Sequence, residues 1–395
     1  MPEFGRVEKG SLVHRRQFLR QTSAGLAAAL SPGAVFQALA VVDRRVAIGG
    51  LMTRLHELQL FTGELLVAEK GSVIYEGAFG TADHRTGRPY TVDTRSCLAS
   101  LSKPITAVAI MMLAEKRLLA YDDPLSKFLP GFTGSVGAVT LRHLLTHTSG
   151  IPDYPDLNVD RPGVTNAEIL TALRKVPNPS FPPGQKYQYS NSGYVLLALI
   201  LEASSGESLP RFLDSRIFKP LGMSATFVLT TPAQKTADVA RGYGRTGAAD
   251  DFEGMATGES GVYSTVLDLL RFDQALYTDR LVSQRALAEA FVPAAVREGS
   301  STYGFGWNIV TDASGTRVWH QGNTAGFRAF IERRLPDRIT VIMLTNGGDT
   351  NRMAINDNIQ RILRGEAPQL PPPRSVPRLC SGETRCSAAG QADTP

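Results

Sequence analysis

Cysteine is scarce in this sequence: only Cys97, Cys380 and Cys386 occur among 395 residues. Three cysteines are too few for a disulfide scaffold. Long apolar runs are also missing, because no stretch outside the first 40 residues approaches the ~20 apolar residues that span a bilayer. The composition, 43% hydrophobic and 20% charged, is instead typical of a chain with a large buried core.

A large excess of charge of one sign is absent as well. The formal net charge is +5, and the first 40 residues carry +3 of it, which leaves +2 for the other 355. A chain so nearly balanced is expected to have no nucleic acid or other polyanion as a partner.

The first 40 residues are typical of an export signal. A basic segment at 14–20 (HRRQFLR) precedes a weakly apolar stretch at 22–40, which ends in the small-residue site Ala38-Leu39-Ala40. The paired arginines resemble a twin-arginine signal. We therefore expect an exported protein, periplasmic or secreted, with no stable membrane span after signal cleavage. The alternative is a membrane anchor or an ordinary first helix, which Pro32-Gly33 would interrupt.

Strand patterns lie at both ends of the remaining chain. The segment LLVAEKGSVIYEGAF predicts a hairpin that turns at Lys70-Gly71, and WNIV, TRVWHQG, GFRAFIERR and ITVIMLT predict four later strands. Residues from about 119 to 292 have a mostly helical pattern. The expected fold is α/β of the α+β type: an antiparallel sheet built from both termini and flanked by helices, with an inserted all-helical lobe.

This domain is expected to cover residues 41–365. Residues 366–395 are rich in proline and are expected to form a disordered tail. Cys380 and Cys386 in that tail would form either a small disulfide loop or a pair of free thiols.

The first candidate for a catalytic motif is Ser100-Leu101-Ser102-Lys103. No serine has glycine two positions before and two positions after it, so the nucleophile elbow of α/β-hydrolases is absent. Pro104 places Ser100 at the start of a helix, and residues at i and i+3 share a helix face, so Lys103 can reach the serine hydroxyl. A desolvated lysine would supply a neutral amine as a base. The alternative is a helix-capping serine beside a lysine that extends to solvent.

Two further motifs contain residues that are suited to proton transfer and to substrate binding. Tyr189-Ser190-Asn191 offers a phenol that can relay a proton and an amide that can bind a substrate amide; otherwise it is a loop whose tyrosines pack at a helix start. His320-Gln321-Gly322 lies on a predicted strand, where glycine would let substrate approach. The N–H groups of Asn323 and Ser100 would then bind an oxyanion. The alternative for His320 is an ordinary strand histidine.

The order Ser-x-x-Lys, Tyr-x-Asn, basic-x-Gly resembles the penicillin-recognising serine hydrolases: class C β-lactamases, DD-peptidases, and related esterases and D-aminopeptidases. The segments LTHTSGIPDY, PGQKYQYSNSGYVLLALI, GVYSTVLDLLRF and YGFGW resemble the family too. The resemblance implies an acyl-enzyme hydrolase with Ser100 as nucleophile and with Lys103 and Tyr189 as proton-transfer groups. Asn191, His320, Gly322 and Asn323 would bind substrate.

Two departures from the family pattern bear on the substrate. β-Lactamases of this family usually have lysine where His320 stands, and Gln321 replaces a small hydroxyl residue. Histidine at this position resembles the DD-carboxypeptidase, D-aminopeptidase and esterase members. A neutral histidine binds a carboxylate less firmly than an ammonium group does, which argues against fast penicillin hydrolysis. The expected substrate is a small molecule or peptide: a β-lactam, a D-amino-acid peptide or an ester.

Three other interpretations are less favoured. His143 and His147 have the i, i+4 spacing of a zinc site, but Leu144 stands where a zinc hydrolase needs glutamate. Cys97 could be a nucleophile or a redox switch, but it has no acid-base partner nearby in sequence and is expected to be a small buried residue. A non-catalytic sensor of amides or peptidoglycan stays open. We expect no cofactor and no metal.

Overall fold

The computed structural model describes residues 32–244, 247–250, 254–296, 302–324 and 326–369. Most of the predicted leader, most of the predicted tail, and Cys380 and Cys386 lie outside these ranges. The proposed cleavage site Ala38-Leu39-Ala40 lies within the first helix, which begins at Pro32. None of the helices in these ranges is both long enough and apolar enough to cross a bilayer.

The main sheet has eight antiparallel strands in the order β2-β1-β13-β12-β11-β10-β9-β8. Its strands are β1 (Gly63–Glu69), β2 (Ser72–Phe79), β8 (Ala295–Val296), β9 (Thr302–Tyr303), β10 (Asn308–Asp312), β11 (Gly315–Thr324), β12 (Phe327–Arg334) and β13 (Ile339–Thr345). The hairpin at Lys70-Gly71 and the four late strands are confirmed, and so is a sheet built from both ends of the chain.

Two small sheets complete the strands. The pair β3 (Thr81–Asp83) and β4 (Arg88–Pro89) forms one, and β5 (Ser96–Cys97), β7 (Val262–Ser264) and β6 (Phe227–Val228) form the other. The second sheet is important for the site because β5 leads directly into the Ser100 segment.

The helices fill the middle of the chain and both ends. They are α1 (Pro32–Glu57), α2 (Ser102–Glu115), α3 (Gly134–Gly137), α4 (Leu141–Leu145), α5 (Asn166–Leu173), α6 (Asn191–Ser205), α7 (Leu209–Leu213), α8 (Lys219–Leu221), α9 (Val266–Ala275), α10 (Gln284–Ala290) and α11 (Arg352–Leu363). Single turns of 3₁₀ helix lie at Ala99–Leu101, Leu125–Lys127, Tyr154–Leu157 and Pro232–Gln234, and Asp214–Phe218 is a π-helical turn.

Both faces of the central strands are covered, because successive side chains of a strand point to opposite faces. On β1, Leu65 and Val67 join a core formed with α1 and α11, whereas Leu66 and Ala68 join the larger core formed with α2, α6 and the rest of the lobe. Helix α2 lies inside the larger core and is buried from Ser102 to Met111. The sequence from Pro104 to Ala114 has a single polar side chain, that of Thr106, which predicts a helix buried on all faces, and the structure confirms this prediction.

The limits of the inserted lobe, about 119–292, stay a prediction, and one helix within them packs on the sheet. Asp273 of α9 forms a buried ion pair with Arg333 of β12 and accepts a hydrogen bond from the Thr340 hydroxyl of β13 at 2.8 Å. These contacts join the C-terminal part of the predicted lobe to the sheet.

Glu64 is an unusual feature of the core, because its side chain on β1 is completely buried. Burial raises the pKa of its carboxyl well above the ordinary value; the backbone N–H of Val266 opposes this effect, and the charges of Glu76 and Asp93 add to it. The folded protein therefore retains a proton on Glu64 at pH values where the unfolded chain has lost it.

This proton makes stability depend on pH. Because the folded pKa is raised, the stabilisation is complete below the unfolded pKa near 4.5 and is lost as pH rises towards the folded value. In Glu64→Gln the loss is absent. We expect the unfolding free energy of the wild type to fall relative to the variant by up to about 1.4 kcal/mol per pH unit in this range. Urea unfolding at pH 5 and pH 8 measures the difference, and parallel pH profiles would contradict it.

Candidate active site

Ser100 lies on a tight turn between strand β5 and helix α2. The turn is a 3₁₀ helix, Ala99–Leu101, that continues directly into α2, so the serine stands just before the α-helix. Ala99 has φ +47°, a left-handed conformation that costs a residue with a Cβ about 1–2 kcal/mol. Strained backbone of this kind is common where a side chain must be presented to substrate.

Lys103 is fully buried, and its amine is surrounded by oxygen atoms. Nζ lies 2.9 Å from Ser100 Oγ, 2.8 Å from Asn191 Oδ1 and 3.0 Å from the backbone carbonyl oxygen of Glu259. The Glu259 carboxylate lies 3.4 Å away. The three nearest oxygens match the three N–H donors of an ammonium group. The predicted contact between Ser100 and Lys103 is present, and the lysine does not extend to solvent.

Asn191 is held between Lys103 and a carboxylate. Its Nδ2 donates to Asp153 Oδ2 at 2.9 Å, while its Oδ1 accepts from Lys103. The other oxygen of Asp153 accepts from the Ser192 N–H at 2.9 Å, in the first turn of α6. Burial raises the pKa of Asp153, and its hydrogen bonds and Lys103 oppose that rise. The orientation of the Asn191 amide is therefore fixed before any substrate binds.

Tyr189 lies beside Lys103, with its ring centroid 4.8 Å from Nζ. The ring also packs against the imidazole of His147, with the centroids 4.3 Å apart. His147 Nδ1 accepts from the N–H of Ser190 at 3.2 Å, and the His147 carbonyl accepts from the N–H of Gln188 at 2.9 Å. His147 thus holds the backbone on both sides of Tyr189.

Two other tyrosines near this cluster are completely buried. Tyr194 donates to the Leu145 carbonyl at 2.8 Å, and Tyr303 packs on His147 with ring centroids 4.7 Å apart. Burial raises the pKa of both phenols well above the ordinary value. Neither Tyr194 nor Tyr303 is therefore a base at neutral pH. The side chain of Tyr189 is more exposed than that of either.

His320 is buried, with 2% of its surface exposed. Its Nδ1 lies 2.9 Å from the carbonyl of Gln321, and its Nε2 lies 3.0 Å from the hydroxyl of Tyr303. Because a carbonyl oxygen can only accept, Nδ1 carries hydrogen, and a neutral imidazole then accepts the phenol proton at Nε2. The motif predicts that His320 contacts substrate, whereas its imidazole faces the tyrosine cluster.

Gly322 brings strand β11 against the Ser100 turn. A Cβ at this position would lie 1.9 Å from the carbonyl oxygen of Leu98, so the missing side chain accommodates the protein's own backbone. The motif predicts instead that substrate approaches the strand at this glycine. The following residue, Asn323, is exposed, and the role of its N–H in an oxyanion site stays a prediction.

Arg352 braces this part of the strand from helix α11. Its guanidinium donates to the carbonyls of Gly322 at 2.6 Å and Ala329 at 2.9 Å, and to the Asn323 side-chain oxygen at 2.7 Å. Burial and nearby Arg328 lower the pKa of Arg352 to about 10, so it is charged at neutral pH. The sequence motifs do not predict Arg352, Glu259 or Asp153 as site residues. The lone carboxylate in ATGESG, residues 256–261, is the available signal for Glu259.

The zinc interpretation has no support in the geometry. His143 Nδ1 accepts from the Thr140 N–H at 3.2 Å in a helix cap, and His147 holds the Tyr189 segment. No group of three or more His, Cys, Asp or Glu residues suited to a metal ion exists in the part of the chain described here.

Cys97 is buried, and burial raises the pKa of its thiol, as expected for a structural residue.

A serine beside a buried lysine, at the junction of an antiparallel sheet and a helical lobe, defines the class of the protein as a serine hydrolase. A model of the Beta-lactamase family matches residues 42–366, and the chain belongs to that family. It is 35% identical to penicillin-binding protein 4* of Bacillus subtilis over 355 residues, which covers 83% of this chain and 78% of that protein.

Two further relatives differ in their named activity and source. Esterase EstB of Burkholderia gladioli is 30% identical over 348 residues, which covers 74% of this chain and 87% of the esterase. The solved structure of the octameric penicillin-binding protein homologue from Pyrococcus abyssi has a TM-score of 0.74 and 27% identity, and covers 81% of this chain and 77% of that one. The expected family and fold are confirmed.

The close approach of Gly322 to Leu98 predicts a strong effect of a single methyl group. Gly322→Ala must displace backbone, which costs about 1–3 kcal/mol or more and moves β11 away from Ser100. We expect a lower urea midpoint and at least tenfold slower labelling of Ser100 by a fluorophosphonate. Gly50→Ala is the control, because nothing lies within 4 Å of that added Cβ on α1. Equal labelling of both variants would contradict this account of Gly322.

Proposed function

We propose that this protein is an acyl-enzyme hydrolase in which Ser100 attacks the carbonyl carbon of an amide or ester. The observation that carries the proposal is the 2.9 Å contact between the hydroxyl of Ser100 and the buried amine of Lys103. A nucleophile within hydrogen-bond reach of an amine, oriented by a third group, is the arrangement that activates serine for covalent catalysis.

Lys103 and Tyr189 share the proton transfers in this proposal. When Lys103 is an ammonium group, it donates to Ser100 and cannot accept the serine proton. The Lys103–Tyr189 pair must therefore first lose one proton, either from Nζ or from the phenol. The Ser100 Oγ–carbon bond then forms, and the pair takes the serine proton and delivers it to the departing amine or alcohol. Water next attacks the acyl carbon while Tyr189 accepts one of its protons. The bond between the acyl carbon and Ser100 Oγ then breaks, and Tyr189 returns the proton to Oγ as the product acid leaves.

Substrate binding would use the segments that surround this pair. The N–H groups of Ser100 and Asn323 would stabilise the oxyanion, and the Asn191 amide would bind the acyl group through its remaining hydrogen-bonding capacity. Gly322 would keep the strand close enough for these contacts. His320 would act on the site through Tyr303, because its own side chain is buried.

The proposed substrate class is a D-amino-acid peptide or an ester, with β-lactams processed more slowly. The strand offers no lysine ammonium to a substrate carboxylate at position 320, and the hydrogen bonds of His320 are satisfied by a neutral imidazole. One relative is named for binding penicillin and another is named as an esterase, which supports a site that accepts β-lactams and esters.

The export signal at 1–40, the hydrolase domain at 41–365 and the tail at 366–395 are part of the proposal. The family match over residues 42–366 agrees with these domain limits. A periplasmic or secreted location is supported by the basic segment and the small-residue site of the leader.

The proposal predicts a covalent adduct on Ser100. We expect mass spectrometry to find this adduct with at least one of a cephalosporin, a D-Ala-D-Ala peptide and a p-nitrophenyl ester. Ser100→Ala and Lys103→Met should lower kcat at least about 1,000-fold, and Tyr189→Phe about 100-fold or more because one proton-transfer group is lost.

Ser135→Ala is the matched control, because this serine lies on α3 and its exposed hydroxyl donates to Asn178. Wild-type rates are expected for it. Full ester hydrolysis by Ser100→Ala would refute the nucleophile assignment. Tight binding of a fluorescent penicillin with no adduct and no turnover would instead favour the non-catalytic sensor.

A further inference from the structure

Glu259 is the carboxylate nearest to the reactive lysine, and it is held firmly. Its Oε2 lies 3.4 Å from Lys103 Nζ, and its Oε1 accepts from the Tyr154 hydroxyl at 3.3 Å and from Ser260 Oγ at 2.7 Å. The side chain is 9% exposed. A carboxylate fixed in this way cannot swing into solvent when the charge of the site changes.

The charge on Glu259 acts in a surrounding with little water. An opposite charge at this distance favours the ammonium form of a lysine, whereas burial disfavours it. Other acidic groups respond to the same carboxylate: the pKa of Asp160 is raised by burial and then by Glu259. The titratable groups that face Glu259 or its lysine are Cys97 on β5, Lys103 on α2, Asp153, Tyr154 and Asp160 between α4 and α5, Tyr189, and Tyr194 on α6.

We propose that Glu259 is a positioning residue that sets the pH at which Ser100 becomes reactive, acting through Lys103. Ser100 reacts only after the Lys103–Tyr189 pair has lost one proton, and a neighbouring negative charge opposes that loss. The charge on Glu259 raises the pH needed for this loss whether the lysine or the phenol gives up the proton, because the site becomes more negative in both cases. This inference rests on the proposed function, since it assumes that Ser100 is the nucleophile.

The activation step can be measured without knowing the substrate. With a fluorophosphonate, the Ser100 Oγ–phosphorus bond forms, the phosphorus–fluorine bond breaks, fluoride leaves and the serine proton passes to the Lys103–Tyr189 pair. The second-order rate of Ser100 labelling, recorded from pH 5 to pH 10 on the full chain, gives an acidic limb that reports the protonation of that pair. Mass spectrometry confirms that Ser100 carries the label.

Two variants separate the charge of Glu259 from its shape. Glu259→Gln retains the shape and removes the charge, and we expect its acidic limb to lie about one pH unit or more below that of the wild type. Glu259→Asp retains the charge on a shorter side chain, and we expect a lower rate with the limb close to the wild-type position. Glu202→Gln is the control for loss of a carboxylate elsewhere, because that side chain accepts from the Leu209 N–H on the far part of the lobe.

A purely structural role for Glu259 would lower the labelling rate at every pH without displacing the limb. The inference is overturned if the limbs of E259Q and the wild type coincide, or if E259Q and E259D are displaced equally. If E259Q does not fold, Glu259→Met removes the charge at a similar volume and is judged by the same displacement. Failure of wild-type Ser100 to take up any label would overturn the proposed function together with this inference.

Discussion

The buried amine of Lys103 holds the active centre together. Lys103 Nζ is surrounded by oxygens from the turn before α2, from the start of α6 and from the segment before β7. Removing such a group from water costs several kcal/mol unless it is hydrogen-bonded and paired. The partners Asn191 and Glu259 lie 88 and 156 positions away in sequence. The packing of the lobe on the sheet therefore also supplies the hydrogen-bond partners of this amine.

The lobe fixes Tyr189 and Asn191 through residues of one connecting segment. His147 binds the backbone on both sides of Tyr189, and Asp153 binds the Asn191 amide together with the N–H of Ser192. Asp153 therefore both caps helix α6 and orients the amide of Asn191. Preorganisation of this kind matters because catalysis depends on groups that do not need to move as charge develops.

Local patterns were sufficient to predict the hairpin, the late strands, buried helix α2 and the contact between Ser100 and Lys103. Each depends on periodicity or on a spacing within one element, which the sequence contains directly. Asp153, Glu259 and Arg352 were missed because their partners are distant in sequence and no local spacing connects them. A single carboxylate in a loop is usually solvated, and only the fold shows that Glu259 lies against a lysine.

The motif at 320–322 shows why residue types do not fix residue roles. The spacing identified His320 and Gly322, but not the side of the strand that each would face. In the structure the imidazole turns to Tyr303, and the space beside Gly322 is taken by the Leu98 carbonyl. The strand therefore packs its backbone against the Ser100 turn at Gly322, and the exposed Asn323 that follows is braced by the Arg352 guanidinium. Strand β10 pairs with β11 from Gly315 to Trp319, so residues 320–324 lie beyond this pairing. Recognition along such a local edge relies on main-chain hydrogen bonds, which suits the amides and esters of the proposed function better than a site built around a single cationic side chain.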